Sequence, residues 1–267
     1  MQKQDWTAKW ITGDYVPKKK ERYPVDCFKK TFAIASDKKV KKARAYMSAC
    51  GVYEGRINGE KIGEFILAPG ITDYRKRVQY QTVDVTALLA AGDNELSFML
   101  GDGWYRGSVG AWGMKNYYGS ETKLLAQLEI TYEDGSVDVI ATDERFDWTN
   151  DGPIRFADNK DGEIYDARMQ DFLHAQWKKA KVTEHPVVPT ASDNFILKEH
   201  EVFTHPKLIK TPAGKTVLDF GQNIAGIVAF SVNAKAGQRL YLRMGELIKD
   251  GEFTQKNVQC VKKDKIT

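Results

Sequence analysis

Three short stretches of the 267-residue chain bring together side chains that could do chemistry. The richest is Gly101-Asp102-Gly103-Trp104-Tyr105-Arg106-Gly107-Ser108-Val109-Gly110-Ala111-Trp112-Gly113. Aromatic faces stack on the C–H-rich faces of sugars, and Asp or Arg can fork hydrogen bonds to vicinal hydroxyls. The glycines would let such a loop approach a ligand closely. The plainer reading is that Trp104 and Trp112 plug the open end of a β-sandwich or bury against a neighbouring domain. The second stretch, Ala68-Pro69-Gly70-Ile71-Thr72-Asp73-Tyr74-Arg75-Lys76-Arg77, sets Tyr74 beside three cations and reads as a loop packed between sheets more than as a binding site. Candidate contacts with a sugar or with a neighbouring domain are therefore Asp102, Trp104, Tyr105, Arg106, Trp112, Tyr74 and Arg75.

The third stretch, Asp158-Asn159-Lys160-Asp161-Gly162-Glu163-Ile164-Tyr165-Asp166-Ala167-Arg168, concentrates carboxylates. A glycosidase needs two, one to protonate the leaving oxygen and one to activate water or attack the sugar. Hard oxygen donors also suit calcium, but the full twelve-residue loop pattern is missing and Arg168 can neutralise the acids. No residue is assigned a catalytic role, no metal site is assigned, and calcium is kept only as a weak option. The four histidines, His174, His185, His200 and His205, form no zinc spacing. Gly101-Asp102-Gly103 is followed by Trp104-Tyr105-Arg106-Gly107 and not by a helix start, which removes a phosphate-binding reading.

These residues must be carried by strands. Leu124, Ala126, Leu128, Ile130 and Tyr132 alternate with Lys123, Leu125, Gln127, Glu129 and Thr131, and Asp134-Gly135 supplies a turn. Asn58-Gly59 is the strongest hairpin signal. Leu96, Phe98 and Leu100 give another inward row. Only Val85 to Gly92 hints at a helical turn, with Thr86 as cap. The expected fold is all-β: a jelly-roll β-sandwich of the galactose-binding kind over residues 1–200, then a partial second β-sandwich over 201–267. Prolines 186, 189, 206 and 212 mark the joint; Lys215 to Phe220, Ile224 to Asn233 and Gln238 to Glu246 are expected strands beyond it, and Gln259 to Thr267 reads as the approach to another strand.

Composition agrees with a folded soluble chain, at 42% hydrophobic and 28% charged residues. The net charge of +4 hides a basic start, because residues 1–42 carry +7 and the remainder −3. Apolar strand-like residues interrupt the basic run, so a solvated face is expected, not a nucleic-acid surface. Cys27, Cys50 and Cys260 read as reduced structural thiols, and the start has no apolar signal core, so a cytoplasmic, non-membrane protein is expected.

The ordered segments Ala43 to Tyr46, Gly51 to Glu54, Ile57 to Gly59, Leu67 to Tyr74, Val78 to Thr82, Gly92 to Asn94 and Gly101 to Gly107 together resemble the bacterial α-L-rhamnosidases of glycoside hydrolase family 78. Gly162 to Arg168 and Asp219-Phe220-Gly221-Gln222-Asn223 are similar to the same family, the latter opening its concanavalin-like domain. The resemblance runs from about Trp6 to the end. It implies an amino-terminal sandwich that assists substrate recognition, with catalysis by inversion in a later (α/α)6 barrel that these residues cannot build. The expected partners are a rhamnose-containing glycoside and the catalytic domain. A free-standing carbohydrate-binding module is the alternative, and a structural spacer that self-associates through exposed strand edges is a third.

Overall fold

The computed structural model describes residues 1–18, 21–193, 195–235 and 237–255, which divide into two compact units, Met1–Glu199 and His200–Thr267. Among the described residues of the first unit there are fifteen strands. They are β1 (Trp10–Thr12), β2 (Asp26–Ile34), β3 (Val40–Cys50), β4 (Val52–Ile57), β5 (Glu60–Lys61), β6 (Gln79–Asp84), β7 (Gly92–Gly101), β8 (Lys123–Tyr132), β9 (Val137–Ala141), β10 (Asp147–Thr149), β11 (Ile154–Asp158), β12 (Gly162–Tyr165), β13 (Lys178–Lys179), β14 (Lys181–Thr183) and β15 (Thr190–Ala191). One sheet runs β14-β1-β8-β3-β6-β15 with β9 also on β8, the other β13-β10-β2-β7-β4-β5, and β11 and β12 form a separate hairpin. The fold is a β-sandwich. No helix among the described residues is long and apolar enough to cross a membrane.

Between the sheets, Ala43, Ala45, Met47 and Ala49 of β3 and Leu124, Ala126, Leu128, Ile130 and Tyr132 of β8 face Phe28, Tyr53, Ile57, Leu96, Phe98 and Leu100. Small side chains on β3 leave room for the opposing aromatics, which is how a core reaches close packing without strain. Asn58 and Gly59 turn β4 into β5 with φ of 53° and 83°, the left-handed pair that a two-residue hairpin requires. The helical signal at 85–92 becomes one 3-10 turn, Thr86–Leu88, and Thr86 does not cap it; its hydroxyl accepts from Ala43 N at 2.8 Å instead.

The face of β8 turned away from this core is covered as well, for Leu125 and Gln127 are buried. Leu125 joins a second apolar cluster with Trp10, Cys50, Tyr74, Val78 and Tyr105. Gln127 Oε1 accepts from Thr7 N at 2.8 Å and Ala8 N at 3.2 Å, while its Nε2 donates to Asp5 O at 3.0 Å. The amino-terminal arm thus covers this face, and the buried amide is satisfied by the arm's own backbone. Burial pushes the Cys27 and Cys50 thiols up to about 12, leaving them unreactive core residues.

Among the described residues the second unit has two antiparallel hairpins, β16 (Lys207–Lys210) with β17 (Thr216–Asp219), and β18 (Leu247–Lys249) with β19 (Glu252–Thr254). Ile224 to Asn233 and Gln238 to Glu246 were expected as strands and form no ladder; Val228, Phe230, Val232, Leu240, Leu242 and Met244 are exposed. An amphipathic hairpin without a further layer to cover its apolar side is marginal in water, which accounts for the difference. Gln259 to Thr267, read as the approach to a further strand, lies with Cys260 outside the described residues.

Candidate functional site

The loop from Gly101 to Gly119 leaves the end of β7 and divides its side chains between two interiors and the surface. On one side, Asp102 and Arg106 turn inward. Arg106 Nε donates to Asp102 Oδ1 at 2.7 Å, its Nη2 lies 2.7 Å from the same oxygen as an ionic contact, and its Nη1 donates to the Tyr15 hydroxyl. Tyr15 in turn donates to Asp26 Oδ2 at 3.1 Å, and Asp26 also accepts from Thr122 Oγ1 at 2.8 Å and from the Trp148 indole N–H at 2.9 Å. Burial raises the Asp26 and Asp102 carboxyls above their ordinary range, against the pull of Arg106. Burial opposes the Arg106 charge too, yet the facing Asp102, Tyr15 and Asp26 hold its pKa above normal.

On the other side, Tyr105 meets Tyr74 edge to face at 5.3 Å, so the two aromatic stretches of the sequence converge in one cluster. Tyr118 lies 5.1 Å from Tyr74, and His185 sits between Trp10 at 5.5 Å and Tyr105 at 6.3 Å. His185 Nε2 is 3.1 Å from Tyr74 O. Burial lowers the His185 pKa, so the neutral ring is favoured. Arg75 remains exposed, paired with Asp73 at 2.9 Å and lying over the Tyr117 and Tyr118 rings at 5.1 and 5.3 Å. Trp104 is half-buried against this cluster.

At the tip, Val109 and Met114 exchange backbone hydrogen bonds of 3.0 and 2.9 Å, and Gly113 N donates to Gly110 O at 3.2 Å. This tight turn lifts Trp112 to 86% exposure. The β11–β12 hairpin braces it from below: Asp158 Oδ2 accepts from Ser108 N at 2.8 Å, Lys160 Nζ donates to Gly110 O, and Lys115 Nζ pairs with Asp161. Asp158 Oδ1 is taken up by the amides of Lys160 and Asp161, each at 2.8 Å. Asp166 pairs with Arg168, whose hydrogen bonds hold its carboxyl down at about 2. No group of three or more His, Cys, Asp or Glu able to hold a metal occurs among the described residues.

Of the seven candidate residues, Tyr74 and Tyr105 come together, with Trp104 and Arg75 at the margin of their cluster. Asp102 and Arg106 pair with each other beneath the loop, and Trp112 stands alone at its tip. The sequence reading passed over Tyr15, Asp26, Thr122 and Trp148. The one available signal was Asp26 itself, a carboxylate inside the apolar run Val25-Asp26-Cys27-Phe28.

A family model for the α-L-rhamnosidase N-terminal domain matches residues 38–206, and one for the bacterial α-L-rhamnosidase concanavalin-like domain matches residues 209–267. The chain belongs to the α-L-rhamnosidase family. An α-L-rhamnosidase from Streptomyces avermitilis is 39% identical over 236 residues, covering 83% of this chain and 22% of its own length. One from Formosa agariphila is 33% identical over 276 residues, covering 95% of this chain and 29% of its own. Among solved structures, the native α-L-rhamnosidase of Aspergillus terreus superposes with a TM-score of 0.77 at 32% identity, covering 84% of this chain and 27% of that one. The Streptomyces avermitilis α-L-rhamnosidase complexed with L-rhamnose gives 0.69 at 36% identity, covering 76% of this chain and 20% of that one. The chain thus spans less than a third of the α-L-rhamnosidases it matches.

Proposed function

We propose that these residues are the non-catalytic β-sandwich part of an enzyme that hydrolyses terminal α-L-rhamnose from glycosides, supporting a catalytic domain and aiding substrate recognition. The observation that carries the reading is how the carboxylates near the aromatic loops are spent. Asp102 is paired with Arg106, Asp158 accepts three amides, Asp161 faces Lys115 and Arg22, and Asp166 faces Arg168. Inverting hydrolysis needs two carboxyls roughly 6.5–9.5 Å apart across a sugar, one of them free to carry a proton. Glu163 is exposed on β12. The exposed Trp112 and Arg75 are the contacts we assign to sugar or to the catalytic domain. The purified chain, incubated with an aryl α-L-rhamnoside, is expected to give only background release. Turnover that Asp102→Asn or Glu163→Gln abolished would refute the assignment.

A second reading, a free-standing carbohydrate-binding module, is favoured by one specific feature, the exposure of Trp112 on a braced turn. Glycan-array binding by the chain separates the two.

A further inference from the structure

Tyr117 ends a chain of rings that begins in the interior. Tyr105 and Tyr74 are buried, Tyr118 is half-buried against Tyr74, and Tyr117 meets Tyr118 edge to face at 4.8 Å with 45% of its own surface exposed. The backbone on both sides of Tyr117 is pinned. Asn116, in the left-handed region at φ 54°, donates its N–H to Arg106 O at 2.9 Å, and Tyr118 N donates to Tyr105 O at 3.4 Å. Arg75 lies with its guanidinium 5.1 Å from the Tyr117 ring centre and is hydrogen-bonded to the Tyr117 hydroxyl. Asp73 grips the guanidinium as a fork, Oδ1 accepting from Nε at 2.9 Å and Oδ2 from Nη2 at 3.4 Å. The turn that carries the pair is itself closed, since Lys76 N and Arg77 N both donate to Asp73 O, at 2.8 and 2.9 Å. Ring, donor and acceptor are thus each fixed by at least one contact before any ligand arrives, which lowers the entropy lost on binding.

The fork is not used up by being paired. A guanidinium has five N–H groups and a carboxylate about four acceptor positions, and both side chains remain partly exposed. The two charges cancel, so the fork offers a donor next to an acceptor without selecting an ion. Adjacent hydroxyls on a neutral pyranose present the same alternation, and the C–H groups of such a ring pack on an aromatic surface.

We propose that Tyr117, Arg75 and Asp73 form a binding site for a neutral pyranoside. The sugar packs its C–H groups on the exposed part of the Tyr117 ring, one hydroxyl donates to Asp73, and the adjacent hydroxyl accepts from Arg75. The inference rests on the recognition half of the proposed function and adds Tyr117 and Asp73 to it; it needs no hydrolysis by the chain.

The test is a titration of the full chain with methyl α-L-rhamnopyranoside, followed by saturation-transfer NMR, beside the derivative whose 2- and 3-hydroxyls are tied up as an isopropylidene acetal. The free glycoside is expected to bind and the blocked one not, because the blocked sugar keeps no adjacent pair of hydroxyls. Tyr117→Ala should weaken binding about tenfold, the effect of losing one aromatic contact. Arg75→Lys keeps the charge but loses the planar fork, and it should weaken binding to a similar degree. Tyr165→Ala, which removes an equally exposed tyrosine from β12, should bind as the parent does. Circular dichroism and melting curves of all three variants are expected to match the parent. Absence of binding, equal binding of the blocked glycoside, unchanged binding by both Tyr117→Ala and Arg75→Lys, or an equal loss in Tyr165→Ala would each overturn the proposal. So would Tyr117-dependent association with the remainder of a longer homologous enzyme but not with the sugar. The same spectra would show free rhamnose if the chain cleaved the glycoside, so failure of the non-catalytic assignment is read separately from failure to bind.

Discussion

Arg106 carries a permanent charge inside the sandwich, where its position depends on Asp102, Tyr15 and, through Tyr15, Asp26. Removing the guanidinium strands a buried carboxylate and a buried phenol, so Arg106→Ala should cost about 3–5 kcal/mol in urea unfolding. Arg106→Ala as stable as the parent would mean that Asp102 is already neutral in the folded chain. His185 gives a pH signature of defined sign. Its folded pKa is depressed by burial, so the unfolded chain binds the proton more readily. The stability it contributes is present above the unfolded imidazole value and is lost as pH falls through the folded one. Melting temperatures measured from neutral pH downward should therefore drop less steeply for His185→Gln. The raised carboxyls of Asp26 and Asp102 act in the opposite direction, their stability being full at low pH and lost as pH rises through their folded values. At this scale the sequence was legible for identities and blind to partners. Tyr74 and Tyr105 stand thirty-one positions apart yet share a cluster, and nothing in local spacing tells Arg106 to turn toward Tyr15, ninety-one positions earlier.

Among elements, local chemistry was legible wherever it acts over a few residues. The Asn58-Gly59 turn is the clearest case, because positive φ at both positions is a property of those two residues. Asn58 also donates to Asn94 Oδ1 at 2.8 Å and to Leu88 O at 3.0 Å, and accepts from Glu95 N at 2.9 Å. Asn58→Ala should lose about 1–3 kcal/mol, from left-handed strain and from groups left unpaired, as read from the denaturation midpoint. Gly13 presents a different constraint, legible only in three dimensions. A Cβ there would fall 2.6 Å from the Trp148 indole, which cannot swing aside without breaking its bond to Asp26. Gly13→Ala should destabilise by about 1–3 kcal/mol, and a neutral result would show that the Trp148–Asp26 bond is dispensable. The covering of Leu125 and Gln127 was illegible for the same reason, since the residues that bury them come from the arm and from distant loops. The runs at Ile224 to Asn233 and Gln238 to Glu246 erred the other way: alternation records a capacity to form strands, which goes unused where no second layer covers the apolar side.

Over the whole molecule, the two units differ in how their apolar side chains are covered, and proteolysis should report it. Brief digestion with trypsin is expected to cut first after Lys235, Arg239 or Arg243 and to leave a resistant product holding Met1–Glu199, identified by intact mass. Early cuts concentrated within Met1–Glu199 would contradict this. The first unit completes both of its sheets with one stretch near its end. Between Lys178 and Ala191 the chain adds β13 to one border of the smaller sheet, crosses at Ala180, adds β14 to one border of the larger sheet, and finally lays β15 parallel to β6 along the opposite border. Synthesis proceeds from the amino terminus, so a nascent chain that has emerged only as far as Trp177 has both sheets in hand and three of their borders open. The ribosome must release some fourteen further residues, the span from Lys178 to Ala191, before those borders receive their last short strands. During translation this sandwich is therefore a late folder, in need of shelter until its last short strands arrive.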